Sequence, residues 1–317
     1  MPIQPFVSVG DAPTRPPRLR RSVLVVPGSS PDMLAKAAQR GADELIFDLE
    51  DAVAPDRKSE ARQTVIEALH THDFGDTVLG VRVNDATTPF MYADIVALLG
   101  GAGGRFDCLI VPKLDHPGQL WFVEHLCTQV EAARGLERRH GLEVQVESGA
   151  GSVNLLDAVR VTDRVESVVF GPGDYAANIG VPQLDVGMPD PDYPGYQWAS
   201  VVGRLVDAAR SVGADAVDGP YSDFGDPEGF RRMATRARLL GMDGKWCIHP
   251  AQIELANETF TPTPEQFAAA TALLIAYGEA TAEGRGAATY GGRMIDEASR
   301  KMAAKLVARG RAAGLDD

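Results

Sequence analysis

The sequence predicts a (β/α)8 TIM barrel, an α/β fold, extended at its C terminus by a helical lid. Three observations predict it. Short apolar runs recur eight times, amphipathic segments separate most of them, and polar residues gather at the C-terminal ends of the runs. Strand–helix alternation implies a parallel sheet. Eight such units over about 230 residues fit a closed barrel, which typically takes about 250. The rival, an open doubly wound sheet, would want a GxGxxG turn after its first strand. The sequence there is "PGSSPDM".

The runs in order are "SVLVVPG" (22–28), "ELIFDLEDA" (44–52), "TVLGVRVND" (77–85), "DCLIVPKLD" (107–115), "LEVQVESGAG" (142–151), "ESVVFGPGDYA" (166–176), "ADAVDGPYSD" (214–223) and "GKWCIHPAQ" (244–252). Residues 21–252 therefore form the barrel. Ahead of it, 1–20 is proline-rich, lacks the apolar h-region of a signal peptide and reads as a flexible arm. Residues 253–317 change character and read as a lid or oligomerisation segment. They hold a helix opening at Thr263 with Pro264 at its first position and Glu265 in its first turn, a hairpin around Gly291–Gly292, and a last helix from "DEASRK". This tail carries too little apolar surface to fold alone and is expected to pack on the barrel or on another subunit.

Composition narrows the function. A chain of 317 residues with 44% hydrophobic content has ample material for a core. A net charge of −13 and a pI near 4.9 argue against nucleic acid or an acidic membrane surface as partner. No apolar run reaches the length of a membrane span. Cys108, Cys127 and Cys247 show no metal-type spacing and read as reduced core thiols of a cytoplasmic protein.

The chemistry lies where the runs end. The second ends in Asp48, Glu50 and Asp51, and the third carries Arg82 and Asn84. The fourth ends in Lys113 and Asp115, the fifth in Glu147, the sixth in Asp174, the seventh in Asp218 and the eighth in His249. In a barrel these ends converge on one face, the face that bears active sites. Glu147 and Asp174 end adjacent strands among small residues ("ESGAG", "GPGD"). Two carboxylates so close either share a proton or hold a cation. Mg2+ suits them, since it takes one or two protein carboxylates and fills its other positions with water and substrate oxygens. Mn2+ is its expected substitute, and without a His/Cys cluster zinc is disfavoured. Arg82, in an otherwise apolar strand, needs a partner. The expectation is that Glu50 holds it while spare N–H donors face a substrate oxyanion, with Asp51 in support. "PGSS" could offer backbone N–H groups to a phosphate. His249 reads as a satisfied core histidine rather than a base. Asp296 reads as a helix N-cap.

Taken together, "RRSVLVVPGS", "ADELIFDLEDAVAPDRKSEAR", "VRVND", "VPKLD", "VESGAG", "GPGDYAANIG", "VDGPYSDFGDPEGF" and "GKWCIHPAQIELANETFTPT" resemble the citrate lyase β-subunit/malyl-CoA lyase family of CoA-ester lyases. The likeness runs from about residue 19 to residue 310. With "GAATYGGRMIDEAS" it is closer to malyl-CoA and β-methylmalyl-CoA lyases than to citryl-CoA lyase subunits. The resemblance implies a barrel with a C-terminal lid, assembled as a homotrimer or homohexamer. It implies Glu147 and Asp174 as Mg2+ ligands and Arg82 as the contact to glyoxylate and the developing enolate. It implies Arg21, Lys36 and Glu50 at the CoA-ester site, and Asp296 as a catalytic carboxylate delivered to the neighbouring subunit. The reaction implied is reversible cleavage of L-malyl-CoA or β-methylmalyl-CoA to glyoxylate and acetyl-CoA or propionyl-CoA. Citramalyl-CoA lyase, citryl-CoA lyase and malyl-CoA thioesterase are the alternatives on the same scaffold.

Overall fold

The computed structural model describes residues 18–190, 193 and 196–316. Residues 1–17 of the expected arm lie outside them. The chain forms two units, residues 20–257 and residues 18–19 with 258–316. The division falls inside a helix rather than at residue 252.

In the first unit, eight parallel strands close into a barrel in sequence order. They are β1 (Ser22–Pro27), β2 (Glu44–Asp48), β3 (Val78–Arg82), β4 (Cys108–Val111), β5 (Gly141–Val146), β6 (Val165–Phe170), β7 (Asp215–Asp218) and β8 (Gly244–Cys247). Each begins within one residue of the start of a predicted run and ends before that run does. Both faces of such strands are covered, which is why they read as continuous apolar runs rather than as alternation. The helices are α1 (Pro31–Ala37), α2 (Lys58–Thr71), α3 (Met91–Ala102), α4 (Pro117–Arg134), α5 (Gly149–Val159), α6 (Pro172–Ile179), α7 (Ala199–Ser211), α8 (Pro227–Leu239) and α9 (Ala251–Phe260). Local chemistry sets their ends. His116 and Gln119 form a capping box ahead of α4, Ser148 caps α5, Asp226 caps α8, and Gly135 ends α4 at φ 63°. No described helix is long and apolar enough to cross a membrane.

One apolar cluster draws on seven strands: Val23, Ile46, Val78, Cys108, Ile110, Val169, Val217 and Trp246. The remaining strand, β5, brings polar residues at every second position, Glu143, Gln145 and then Glu147 just past its end, all buried. Alternation puts the three on one side of the strand. The polar groups thus occupy both ends of the barrel. At the N-terminal end the Arg20 guanidinium sits among Glu143 (2.8 Å), Glu166 (2.8 Å), Glu44 (3.1 Å) and Asp215 (3.3 Å). Glu44, Cys108 and Glu143 have donor atoms within 4.8 Å of one another, a spacing that could suit a metal. Arg20 is shared among all four carboxylates, and burial, with Glu143 beside it, raises the Glu44 carboxyl well above its ordinary value. The three cysteines are free and buried.

Between α4 and the start of β6, Glu131 accepts from Arg164 (2.6 Å) and from both the backbone N–H and Nδ1 of His140 (2.9 and 3.0 Å). Burial opposes the charge, but these donors hold the carboxyl down at about 2. A depressed carboxylate stabilises the fold fully above its unfolded value, near 4.5, and loses that contribution as pH falls toward 2. Glu131→Gln is therefore expected to lower Tm by several degrees at pH 7. The gap to wild type should close in a melting series carried down toward pH 2.

The second unit holds α10 (Pro264–Ala282), the hairpin β9 (Ala288–Tyr290)–β10 (Arg293–Ile295) and α11 (Glu297–Ala312). Thr263 caps α10 in a capping box with Gln266. Gly291 and Gly292 both take positive φ, 55° and 74°, as the two-residue turn requires. The unit has a small core of its own: Phe267, Ala270, Ala303 and Val307, with Leu273, Leu274, Leu306 and Leu315 against it. The expected shortage of apolar surface is thus met in part by α10 packing on α11. Gly310 permits the approach, since a Cβ there would lie 2.3 Å from the Phe267 ring.

Candidate active site

The strand ends of β2, β3, β4 and β5 bring six predicted residues together: Asp48, Glu50, Asp51, Arg82, Lys113 and Glu147. Arg82 closes β3, beside Asp48 at the end of β2. Its Nε and Nη2 each donate to an Asp48 oxygen at 2.6 Å, a bidentate fork. Asp48 is fixed in turn by the backbone N–H groups of Glu50 (2.8 Å) and Ala52 (3.0 Å). The predicted partner Glu50 is thus secondary. Its Oε2 lies 3.1 Å from Arg82 Nη1, yet this buried oxygen has no hydrogen bond. The guanidinium also stands over the Trp246 ring, 5.4 Å from its centre. Two of its five N–H donors are committed to Asp48, which leaves others for a ligand.

Glu147 follows β5 and is buried, 5% exposed. Its Oε2 accepts the Lys113 backbone N–H at 2.8 Å and its Oε1 accepts Gln145 Nε2 at 3.3 Å. Burial pushes its carboxyl up to about 8, helped by the negative charges of Glu50 and Asp174 against the pull of Arg82. Burial also raises Glu50. Asp174 lies in the first turn of α6 and, unlike Glu147, is exposed. The expectation that both acids are enclosed holds only for Glu147. Neither caps a helix: Ser148 caps α5, and Gly171 stands at the start of α6. Lys113 Nζ bridges Glu50 (2.6 Å) and the exposed Asp51 (3.1 Å). Lys58 clamps the same loop from below through the carbonyls of Leu49 (2.8 Å) and Glu50 (2.6 Å).

These observations test whether a cation fits. A carboxyl raised first by burial and then by Glu50 and Asp174, and a buried Glu50 oxygen without a hydrogen bond, mark a pocket whose acids outnumber its cations. The donors are oxygens, which suits a hard divalent ion.

Gly171 makes room for the acid. A Cβ at that position would lie 2.4 Å from Glu147 Cγ and 2.7 Å from its Oε1. Gly171→Ala is expected to displace Glu147 by about an ångström, reducing kcat/KM roughly 100-fold. A metal titration should weaken with it while Tm stays close to wild type, because the clash is with a side chain and not with the barrel.

Other expectations are corrected. Arg21 precedes β1 and so lies at the N-terminal end of the barrel, where it forks onto Asp43 at 2.7 and 2.8 Å. A strand length separates it from the acid-rich mouth, so it does not bind substrate there. Lys36 is exposed in the last turn of α1, without a contact to the acids. The "PGSS" turn is not an open phosphate cradle, since Gly28 N–H donates to the Asp48 carbonyl (2.8 Å) and Ser30 N–H to that of Pro27 (3.1 Å). His249 is exposed rather than in the core and stacks on Phe224, ring centres 4.9 Å apart. Asp218 pairs with the buried Lys245 at 2.5 Å. One expectation holds: Asp296, in the second unit, is the N-cap of α11, with its Oδ1 accepting from the Ser299 N–H (3.0 Å).

Known proteins carry the same sequence pattern. The family described as HpcH/HpaI aldolase/citrate lyase matches residues 21–250. An L-malyl-CoA/beta-methylmalyl-CoA lyase of Rhodobacter capsulatus is 41% identical over 306 residues, covering 93% of this chain and 96% of the relative. A malyl-CoA/beta-methylmalyl-CoA/citramalyl-CoA lyase of Chloroflexus aurantiacus is 32% identical over 281 residues, covering 84% and 80%. Among solved structures, CitE of Mycobacterium tuberculosis in complex with magnesium, acetoacetate and coenzyme A matches with a TM-score of 0.72 and 26% identity, over 92% of this chain and 97% of that one. A family match that spans the barrel, joined to close identity over nearly the full chain, leads to one conclusion: this chain belongs to the HpcH/HpaI aldolase/citrate lyase family.

Proposed function

We propose that the chain is a Mg2+-dependent carbon–carbon lyase that cleaves L-malyl-CoA or β-methylmalyl-CoA reversibly to glyoxylate and acetyl-CoA or propionyl-CoA. The observation that carries this reading is Glu147, a carboxyl buried just past the end of β5 and held by the Lys113 N–H and Gln145 Nε2. Glu147 and Asp174 would hold the ion, Mg2+ or in its place Mn2+. When bound, it supplies Lewis-acid polarisation of the substrate hydroxyl and carboxylate oxygens.

The protein's own groups do the rest. Arg82, locked by Asp48, presents its remaining N–H donors to the oxyanion charge of glyoxylate and the enolate. One preorganised donor of this kind is worth about 3–4 kcal/mol. As the hydroxyl gives its proton to solvent water, the bond between the carbinol carbon and the α-carbon breaks, its electron pair enters the thioester as an enolate, and the carbinol carbon leaves as glyoxylate. Asp296 gives that carbon a proton; in condensation it removes one. The second unit acts as a lid that excludes water, and the assembly is a homotrimer or homohexamer in which Asp296 serves a neighbouring subunit. Buried, unpaired cysteines suit a cytoplasmic enzyme.

The test is glyoxylate release from L-malyl-CoA and β-methylmalyl-CoA by the purified chain. EDTA should abolish it and Mg2+ restore it. Release of CoA with free malate would replace this reading with a thioesterase. The name of the Chloroflexus aurantiacus relative favours citramalyl-CoA as a second substrate, which would yield pyruvate.

A further inference from the structure

The loop after β4 holds a residue in a conformation that its type rarely adopts. Lys113 has φ 49°, the one positive value outside glycine among the described residues. A long side chain in left-handed backbone persists only where its surroundings over-determine it, and such sites cluster at functional centres. Two contacts do so here. The turned backbone aims the Lys113 N–H at Glu147 Oε2, 2.8 Å away. The side chain crosses to the loop after β2, with Nζ 2.6 Å from Glu50 Oε1 and 3.1 Å from Asp51 Oδ1. One residue therefore touches the acid that follows β5 and the acids that follow β2. Burial opposes the ammonium charge, but Glu50 and Asp51 outweigh it and hold the group above its ordinary value.

The charges around the mouth do not balance. Asp48, Glu50, Asp51, Glu147 and Asp174 face three cations, Arg82, Lys113 and Lys58, and Lys58 spends its hydrogen bonds on the Leu49 and Glu50 carbonyls. Arg82 is forked onto Asp48. Of the remaining four acids, Glu50 and Asp51 share the ammonium, which leaves Glu147 and Asp174 for an added ion.

We propose that Lys113 is a positioning residue that confines the divalent cation to Glu147 and Asp174. Its main-chain N–H fixes Glu147, and its ammonium occupies Glu50 Oε1 and Asp51 Oδ1, which it keeps from the ion. This rests on the proposal that Glu147 and Asp174 hold the cation. It carries an unusual sign. Without the ammonium, negative charge is freed beside the ion, so binding tightens. The ion is then shared with Glu50 and misplaced, so turnover falls. A merely structural strut would weaken both or neither.

The experiment is a calorimetric Mg2+ titration of the metal-stripped full-length protein, with kcat measured on malyl-CoA. Lys113→Met keeps the length of the side chain and removes its charge. Its Mg2+ Kd is expected to fall about tenfold, while kcat drops at least about tenfold. Lys113→Arg should bring both back toward wild type. Lys113→Gly accepts the left-handed backbone and should show the same tightening, which covers failure of the Met variant to fold. Unchanged or weaker Mg2+ binding in both variants overturns the proposal. Glu147→Gln, titrated alongside, separates the two ideas. If it abolishes Mg2+ binding while the Lys113 variants bind as wild type, the role of Lys113 alone is lost. If it binds Mg2+ normally, the cation site itself is wrong and Lys113 falls with it.

Discussion

Replacing Asp296 by Asn is expected to cut turnover by about 10³-fold, within the range typical of a lost acid–base group, while CoA-ester and Mg2+ binding stay within about twofold of wild type. Asn is the informative substitution. Asp296 Oδ1 accepts the Ser299 N–H at 3.0 Å and the Ser299 hydroxyl at 3.1 Å. An Asn side chain offers the same oxygen, so the cap survives, whereas Ala would remove it. The Tm should hold, and only the proton-transfer group is lost. Within one chain the cap also works against the proposed chemistry. The Ser299 N–H, then its hydroxyl, hold the carboxyl below its ordinary value, which makes for a weak base. Enclosure in the site of a neighbouring subunit would raise it. Co-expression tests this directly. Hybrids of Asp296→Asn with Glu147→Gln should recover part of the wild-type rate, because one subunit still supplies the acid and the other the cation site. Hybrids no faster than either parent would end the cross-subunit proposal, and full turnover in Asp296→Asn would end its catalytic role.

The barrel was legible because two signals agreed. Runs such as "ELIFD" and "CLIV" carry apolar residues on both faces, and charged residues bound them at both ends, with Glu44 and Asp215 opening their strands and Glu50 and Glu147 following theirs. Glu147 stood out as an acid at the end of a buried strand. Less of its surroundings could be read. In "DLED" spacing alone did not reveal that Asp48, paired in register with Arg82, takes the fork, although alternation from Ile46 through Asp48 was an available signal. The resemblance put Arg21 at the CoA-ester site, but Arg21 leads its strand, and the active face lies at the other end. Lys113 reaches the site through a left-handed backbone, which leaves no mark in a sequence at a non-glycine position. Lys58 acts on carbonyl groups eight and nine residues back, a contact visible only after the loop has folded. His249 and Phe224 are exposed because their loops lie beyond the barrel rim, where an apolar neighbourhood in sequence does not mean burial.

Arg82→Lys is the second large effect expected, and it separates strut from catalyst. Lysine keeps the charge but not the fork. One ammonium cannot meet both Asp48 oxygens, each now 2.6 Å from its own guanidinium nitrogen, and still reach toward Glu50. The buried Asp48 keeps only part of its compensation, and Tm should fall by several degrees. That much follows from structure alone. A catalytic contact adds something that a strut does not: kcat should drop by roughly 10²–10³-fold, the loss typical of one preorganised oxyanion donor. The inhibition constant for glyoxylate should rise with it, while KM for the CoA ester moves little. Asp48→Asn supplies the comparison. It weakens the same fork from the carboxylate side but leaves the guanidinium and its free donors in place, so its stability loss should be similar and its effect on glyoxylate binding smaller. Equal glyoxylate affinity in wild type and Arg82→Lys, with Tm lowered, would reduce Arg82 to a support for the β2–β3 loops and leave the enolate without its proposed protein donor.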